Sequence, residues 1–258
     1  MTIRIGILSL TLAIGLANRS LADDAPGVSP LPADKVAELT KSLEKSQADA
    51  TTAIEANPKN LNAYSRRGDV FFFLGQFDKA VADYDQMIKL DDSQAASHWR
   101  RGIALFYASK YKDAAAQFES YHSFDQVDRE NGIWRYLSQY KAHGRDKARE
   151  GLLKYEKDDR EPFPSVYKLF AGTMKPDEIL QTIEAAEISK DEREKRLFYA
   201  HLYVGLNYAV EGNPDAAQRH LRLATLNTWG PAAGYGPNYM WHVGRRHEEL
   251  LRTTPASK

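Results

Sequence analysis

The chain repeats itself with a period of 34 residues, and no other feature limits its fold as much. When residues 61–94 are laid over residues 95–128, Gly68 falls on Gly102, Phe77 on Tyr111, Ala80 on Ala114 and Tyr84 on Phe118. The flanking text agrees, with Arg66-Arg67-Gly68 over Arg100-Arg101-Gly102. A period of this size means one supersecondary unit per repeat. A single helical hairpin cannot bury its apolar face, so the units must stack. Within each unit the apolar spacing is helical, Gly and Pro fall mainly between the helical stretches, and no convincing alternating strand pattern occurs. The small residue of the first helix (Gly68, Gly102) lets the second helix approach. Ala80 and Ala114 do the same in return, while Phe71, Phe77, Tyr84, Tyr111 and Phe118 fill the seams.

These positions resemble the tetratricopeptide repeat (TPR), whose unit is also 34 residues long. The resemblance predicts an all-α fold, a right-handed superhelical array of antiparallel helix pairs. Residues 198–231 fit a third clear unit through Gly205, Tyr208, Gly212, Ala217 and Ala224. Two degenerate pairs lie between. In 131–157, Trp134, Leu137 and Tyr140 mark a first helix and 147–157 a second. In 163–188, two helices flank Gly172 and Pro176. Upstream, 34–57 reads as a leading hairpin or capping helix that ends at Asn57-Pro58. Met87 and Tyr121 depart from the usual small residue late in the second helix, and Asp92 and Gln126 from the usual proline, which bears on superhelical twist more than on fold.

The N-terminus carries a targeting pattern. Arg4 precedes an uncharged, mostly apolar run over 5–17, and Ser20-Leu21-Ala22 offers small residues for cleavage. The run is shorter than the roughly 20 residues a membrane span needs, so a cleaved secretory signal (1–22) is expected, with an uncleaved anchor as the alternative. A Pro- and Gly-bearing linker (23–33) then leads into the repeat domain (34–258). The 258 residues hold 35 basic and 35 acidic side chains and no cysteine. The charge balance gives no reason to expect nucleic acid or an anionic membrane as partner. The lack of cysteine excludes disulfides, thiolate metal sites and a lipid-modified cysteine.

The order of parts resembles one bacterial family more closely, the TPR lipoprotein called new lipoprotein I. The resembling text is His98-Trp-Arg-Arg-Gly-Ile-Ala-Leu-Phe-Tyr107, Ile133-Trp-Arg-Tyr-Leu137, Val166-Tyr-Lys-Leu-Phe-Ala-Gly172 and the last repeat near 203–217. Members of that family are envelope adaptors that scaffold peptidoglycan enzymes and a periplasmic protease, often as homodimers. The resemblance implies a non-catalytic protein-binding adaptor in the periplasm or secreted, with envelope enzymes as partners and a homodimer as a possible state. The family's anchor cysteine is missing, so a soluble form is expected.

In a TPR array the first helix of each unit lines the concave face. The candidate protein-binding residues are therefore Asn62, Arg66, Asp69 and Phe72 in the first repeat, Trp99, Arg100, Ile103 and Tyr107 in the second, and Tyr199 in the last. Aromatic and arginine side chains commonly anchor interfaces, and a partner helix or extended segment could lie along such a face. Array packing is the preferred reading for Phe71, Phe73 and Phe106; for Arg66, Trp99 and Arg100 packing and binding stay open. A carboxylate clamp is not expected, since only Asn62 fits one and Asp69 would repel the ligand.

Signals for catalysis, metal or cofactor are weak, and none of the three is expected. His247-Glu248-Glu249 lacks the second histidine of a zinc-protease helix, and His242 and His247 read as exposed. The Gly-rich stretch 229–237 follows no strand and lacks a phosphate-loop lysine, and reads as a flexible loop. Asp91-Asp92 and Asp158-Asp159 read as solvated acids at turns. Two alternatives stay open beside the adaptor: an enzyme using 229–237 and the C-terminal histidines, and a plain structural spacer.

Overall fold

The computed structural model describes residues 28–253. The segment read as a secretory signal and the first part of the linker lie outside the described residues. Within them the chain folds into thirteen α-helices and no strand. A long leading helix, α1 (Ala33–Ala56), precedes the hairpin of α2 (Leu61–Phe73) and α3 (Phe77–Leu90). A short 3-10 turn at Asp92–Gln94 leads to α4 (Trp99–Tyr107) and α5 (Tyr111–Phe124). Next come α6 (Arg129–His143), a stub α7 (Arg145–Glu150), and the pair α8 (Phe163–Ala171) and α9 (Pro176–Ala185). The last clear hairpin is α10 (Lys190–Val210) with α11 (Pro214–Leu226). It is followed by a single turn, α12 (Trp229–Ala232), and a closing helix, α13 (Tyr235–Thr253).

Each clear hairpin is built the same way. A Cβ on Gly68 would stand 2.6 Å from the Tyr84 ring, and one on Gly102 2.6 Å from the Phe118 ring, so the second helix presses its aromatic directly onto first-helix backbone. The hairpin turns are equally alike. Gly75, Ser109 and Gly212 all take positive φ (78°, 61° and 77°). Around them the backbone bonds Gln76 N–H to Phe71 O, Lys110 N–H to Leu105 O and Asn213 N–H to Tyr208 O close the same helix-ending motif three times. The arginine before each repeat glycine is tied to the second helix. Arg67 donates twice to Asp83 at 2.8 Å, and 34 residues on, Arg101 donates to Gln117 at 2.9 Å and to Asp85 at 2.7 Å.

The middle departs from expectation. The helix expected over 147–157 is confined to α7, because Gly144 (φ 89°) and Gly151 bracket it and the chain then runs without regular structure to 162. That irregular segment does a second helix's work. Its Tyr155, with Tyr167 of α8, fills the space over Gly132 of α6, where a Cβ would meet the two phenols at 2.6 and 2.9 Å. Tyr167 donates to Leu153 O at 2.8 Å, which fastens the segment in place.

The array also bends back on itself. Helix α13 packs on α11 and reaches α2, while α10 reaches α6 and α8. One continuous buried apolar cluster runs from Leu43 in α1 to Val243 in α13. No helix among the described residues is long and apolar enough to cross a membrane.

Candidate functional site

The inward faces of the first two repeats meet α13. Tyr239, fully buried, stacks on Phe72 at 5.1 Å between ring centres and meets Phe73 and Trp99 edge-on at 5.2 and 4.9 Å. His242 stacks on Phe73 at 3.8 Å. Arg245 and Arg246 donate to the Phe73 carbonyl, placing two cations at the C-terminal end of α2 where the helix dipole favours them. Tyr107 Oη and His247 Nδ1 lie 2.9 Å apart.

Two expectations about this end of the chain are corrected. His242 and His247 are not exposed: His242 is 4% accessible and His247 partly buried. Burial pulls both imidazoles below their ordinary range, His247 to about 4. The stretch 229–237 is not a flexible loop, since α12 and the first turn of α13 occupy most of it. The amphipathic spacing of α13 demanded a buried face, and the bend of the array supplies one.

Asp69 is the node of this closure. Its Oδ1 accepts from Tyr84 Oη at 2.7 Å and Arg100 Nη1 at 2.6 Å, and its Oδ2 accepts from Tyr235 Oη at 2.6 Å. Burial works against the Arg100 charge, but Asp69 outweighs it and holds the guanidinium firmly protonated. Among the other sequence candidates, Asn62 and Arg66 are exposed on the rim, Arg66 reaching Ser46 of α1 at 3.4 Å. Phe72 is fully enclosed.

Trp99, Ile103 and Tyr199 line a different feature, a partly open cavity of about 400 Å³ lined from α4, α5, α6, α10, α12 and α13. Trp134, Phe118, Tyr121, Trp229, Pro237 and Met240 complete its apolar wall. At one end stand Asp128, Glu130, Asn131, Arg160 and Lys195. Arg160, from the irregular segment, pairs with Glu130, with Asp159 at 3.2 Å and with Asp128 at 3.6 Å, and lies over the Phe163 ring at 4.3 Å. Tyr203 donates to Glu130. Burial raises Glu130 to about 7 against the pull of Arg160, and raises Asp128 to about 6. Asp159, expected as a solvated acid, has a side chain only 5% accessible and accepts from Arg129 N–H at 2.9 Å.

Sequence reasoning missed the acidic end because it joins a helix start (128–131) to a segment 30 residues on that obeys no period. The one available signal was Asp128-Arg129-Glu130, an N-cap followed by an acid. No group of three or more His, Asp or Glu among the described residues is placed to hold a metal ion.

Helix hairpins stacked in this way, with glycine–aromatic seams at a constant spacing, make the protein an all-α TPR-type solenoid, a class that in general mediates protein–protein contacts without catalysis. Residues 68–107, from the second half of α2 to the end of α4, match the family model described as TPR repeat. No curated protein matches the chain.

Proposed function

We propose that this protein is a non-catalytic adaptor of the bacterial cell envelope that holds other proteins, peptidoglycan enzymes or a periplasmic protease among them. The observation that carries a binding role is the interior cavity. Apolar and aromatic walls with a few convergent charged groups are the usual make-up of a binding pocket, and about 400 Å³ falls within the usual range of roughly 300–1,000 Å³. The envelope location rests on the N-terminal signal pattern and on the resemblance to new lipoprotein I. In this reading the working surface is the cavity and its mouth, with exposed Asn62 and Arg66 on a separate rim, rather than a long open groove.

The test is affinity capture from an envelope extract, read by mass spectrometry. Wild type is compared with Trp99→Ala and with Lys195→Ala, each first shown to unfold at the wild-type temperature within a few degrees. Enrichment of cell-wall enzymes or a protease by wild type, lost with Trp99→Ala, supports the adaptor. Capture of nothing by wild type refutes it. Light scattering on the eluted protein reads the homodimer that the family resemblance implies.

A further inference from the structure

The cavity carries more than an apolar wall. Four carboxylates gather at its acidic end. Asp128 and Glu130 line it, Asp159 stands behind them, and Asp125 accepts from the backbone N–H groups of Val127 and Asp128 at 2.8 and 3.1 Å. Against them stands Arg160, shared among three of the four. Lys195, which also lines the cavity, pairs with Glu192 at 3.1 Å, and the Arg129 guanidinium lies over the Tyr155 ring at 5.2 Å. Of the charged groups that line the cavity, Asp128 and Glu130 are acids and Arg160 and Lys195 are cations, with Asp159 and Asp125 adding negative charge behind the wall.

Two further observations point to an incoming group. Asn131, 3% accessible, lines the cavity; the Tyr155 hydroxyl lies beside its carboxamide, but neither the N–H nor the carbonyl is in a well-formed hydrogen bond. A buried amide in that condition calls for a ligand or water. The remaining wall presents the rings of Trp99, Trp134 and Trp229 with Tyr121, Tyr199 and Phe118. Aromatic faces attract cations, most strongly where water is excluded.

We propose that the cavity receives one ammonium or guanidinium group on an apolar stem, the lysine or arginine side chain of a partner protein's segment. This rests on the adaptor reading and adds the chemistry by which that site selects. The aromatic rings enclose the alkyl stem, Asp128 and Glu130 accept from the charged head, and Asn131 completes its hydrogen bonds. An anionic side chain would be repelled by Asp128 and Glu130, and a purely apolar one would leave the Asn131 amide unanswered.

The test is titration of the intact protein at pH 7.5 by calorimetry and tryptophan fluorescence. The probes are the blocked tripeptide acetyl-Gly-Lys-Gly-amide, the same peptide with an Nε-acetylated lysine, and 1,5-diaminopentane. The lysine peptide is expected to bind, and acetylation to weaken it by about ten-fold or more. Asp128→Asn is expected to weaken the lysine peptide comparably while leaving the fold intact, since asparagine caps α6 as aspartate does. Lowering the pH to 5.5 should weaken it too, as Glu130 and Asp128 take up protons. Equal binding of the acetylated peptide, or no binding of either amine, overturns the proposal. Tighter binding of the diamine than of the peptide overturns the partner-segment part and points to a free amine. The two readings fail separately. If capture from the extract survives Asp128→Asn unchanged, the adaptor stands and the cation site falls. If the lysine peptide binds as expected but nothing is captured, the reverse holds.

Discussion

Asp69→Ala should be among the most damaging single changes in the molecule. The carboxylate is 7% accessible and joins four helices, accepting from Tyr84 of α3, Arg100 of α4 and Tyr235 of α13 while itself belonging to α2. Alanine removes all three acceptor contacts at once. Arg100, with a side chain only 16% accessible, keeps Ser65 Oγ at 2.9 Å but loses its counter-charge. Breaking a buried ion pair from one side costs about 3–5 kcal/mol, because the surviving charge remains desolvated. Against a total stability of roughly 5–15 kcal/mol, that is a large share.

Urea unfolding at pH 7, followed by tryptophan fluorescence and far-ultraviolet dichroism, measures the loss. Tyr235→Phe removes one phenol from a residue more than half exposed and should cost only about 1 kcal/mol. The double variant Asp69→Ala/Arg100→Met should recover much of the single variant's loss, since an apolar side chain of similar length can occupy the site without a stranded charge. An Asp69→Ala loss below about 1 kcal/mol, the range of a solvated surface pair, refutes the reasoning. It would mean that water reaches Arg100 and that α13 does not seal this corner.

Three further outcomes follow from the geometry. Gly102→Ala would place a methyl 2.6–2.9 Å from the Phe118 ring, which is fully buried; overpacking of about 1–3 kcal/mol should outweigh the gain of about 1 kcal/mol in helix propensity and lower the urea midpoint. Ser109→Gly should raise the midpoint slightly, by up to about 1 kcal/mol, because Ser109 holds φ 61° at a turn where the sister hairpins use glycine. For pH, the signs oppose. His98, His201, His220, His242 and His247 have folded values depressed by burial, His98 to about 3 and His201 and His247 to about 4, so their contribution is present above the unfolded value near 6.5 and lost on acidification. Glu130, Asp128 and Glu248 are raised by burial, so their contribution is present at low pH and lost as pH rises, through about 7 for Glu130 and about 6 for Asp128. Five imidazoles against three carboxyls leave stability rising between pH 4.5 and 6.5, and a flat or falling melting temperature across that range would contradict the assignment.

The repeat architecture was readable because its cause is local. Gly68 and Tyr84, or Gly102 and Phe118, lie 16 residues apart, within one hairpin, and the period makes them visible twice. The inward face was readable only as a set of positions. What stands opposite it was not, since Tyr239, His242 and Arg245 meet Phe72, Phe73 and Tyr84 across at least 155 residues of chain, and no spacing rule links them. His242 and His247 read as exposed, and they stand among the charged residues Arg245-Arg246 and Glu248-Glu249. That text misleads because both arginines are spent on capping α2. The degenerate middle failed for a different reason. Gly144 separates α6 from α7 and Gly151 caps α7 after six residues, and Tyr155 fills from an irregular chain the space over Gly132 that a second helix fills elsewhere.

Closure changes how a solenoid ought to behave. In an open array each unit touches only its neighbours, stability is close to a sum of nearest-neighbour terms, and the ends fray first. Here α13 is held at both ends of the chain's path: it packs on α11 and is tied to α2 through Tyr239 on Phe72, Arg245 on the Phe73 carbonyl and Tyr235 on Asp69. Unfolding either helix strips apolar cover from the other, and unfolding α13 opens the cavity whose wall includes Met240 and Pro237. Native-state hydrogen exchange should therefore show the amides of α2 and of central α13 protected to about the same depth as those of α6. The leading helix α1, with Leu43, Ala50 and Ile54 as its buried residues, should open more readily. Fast exchange confined to α13 would show the ring to be open in solution. A cavity with rigid aromatic walls would then be lost, and with it the preorganisation on which selection of a single inserted side chain depends.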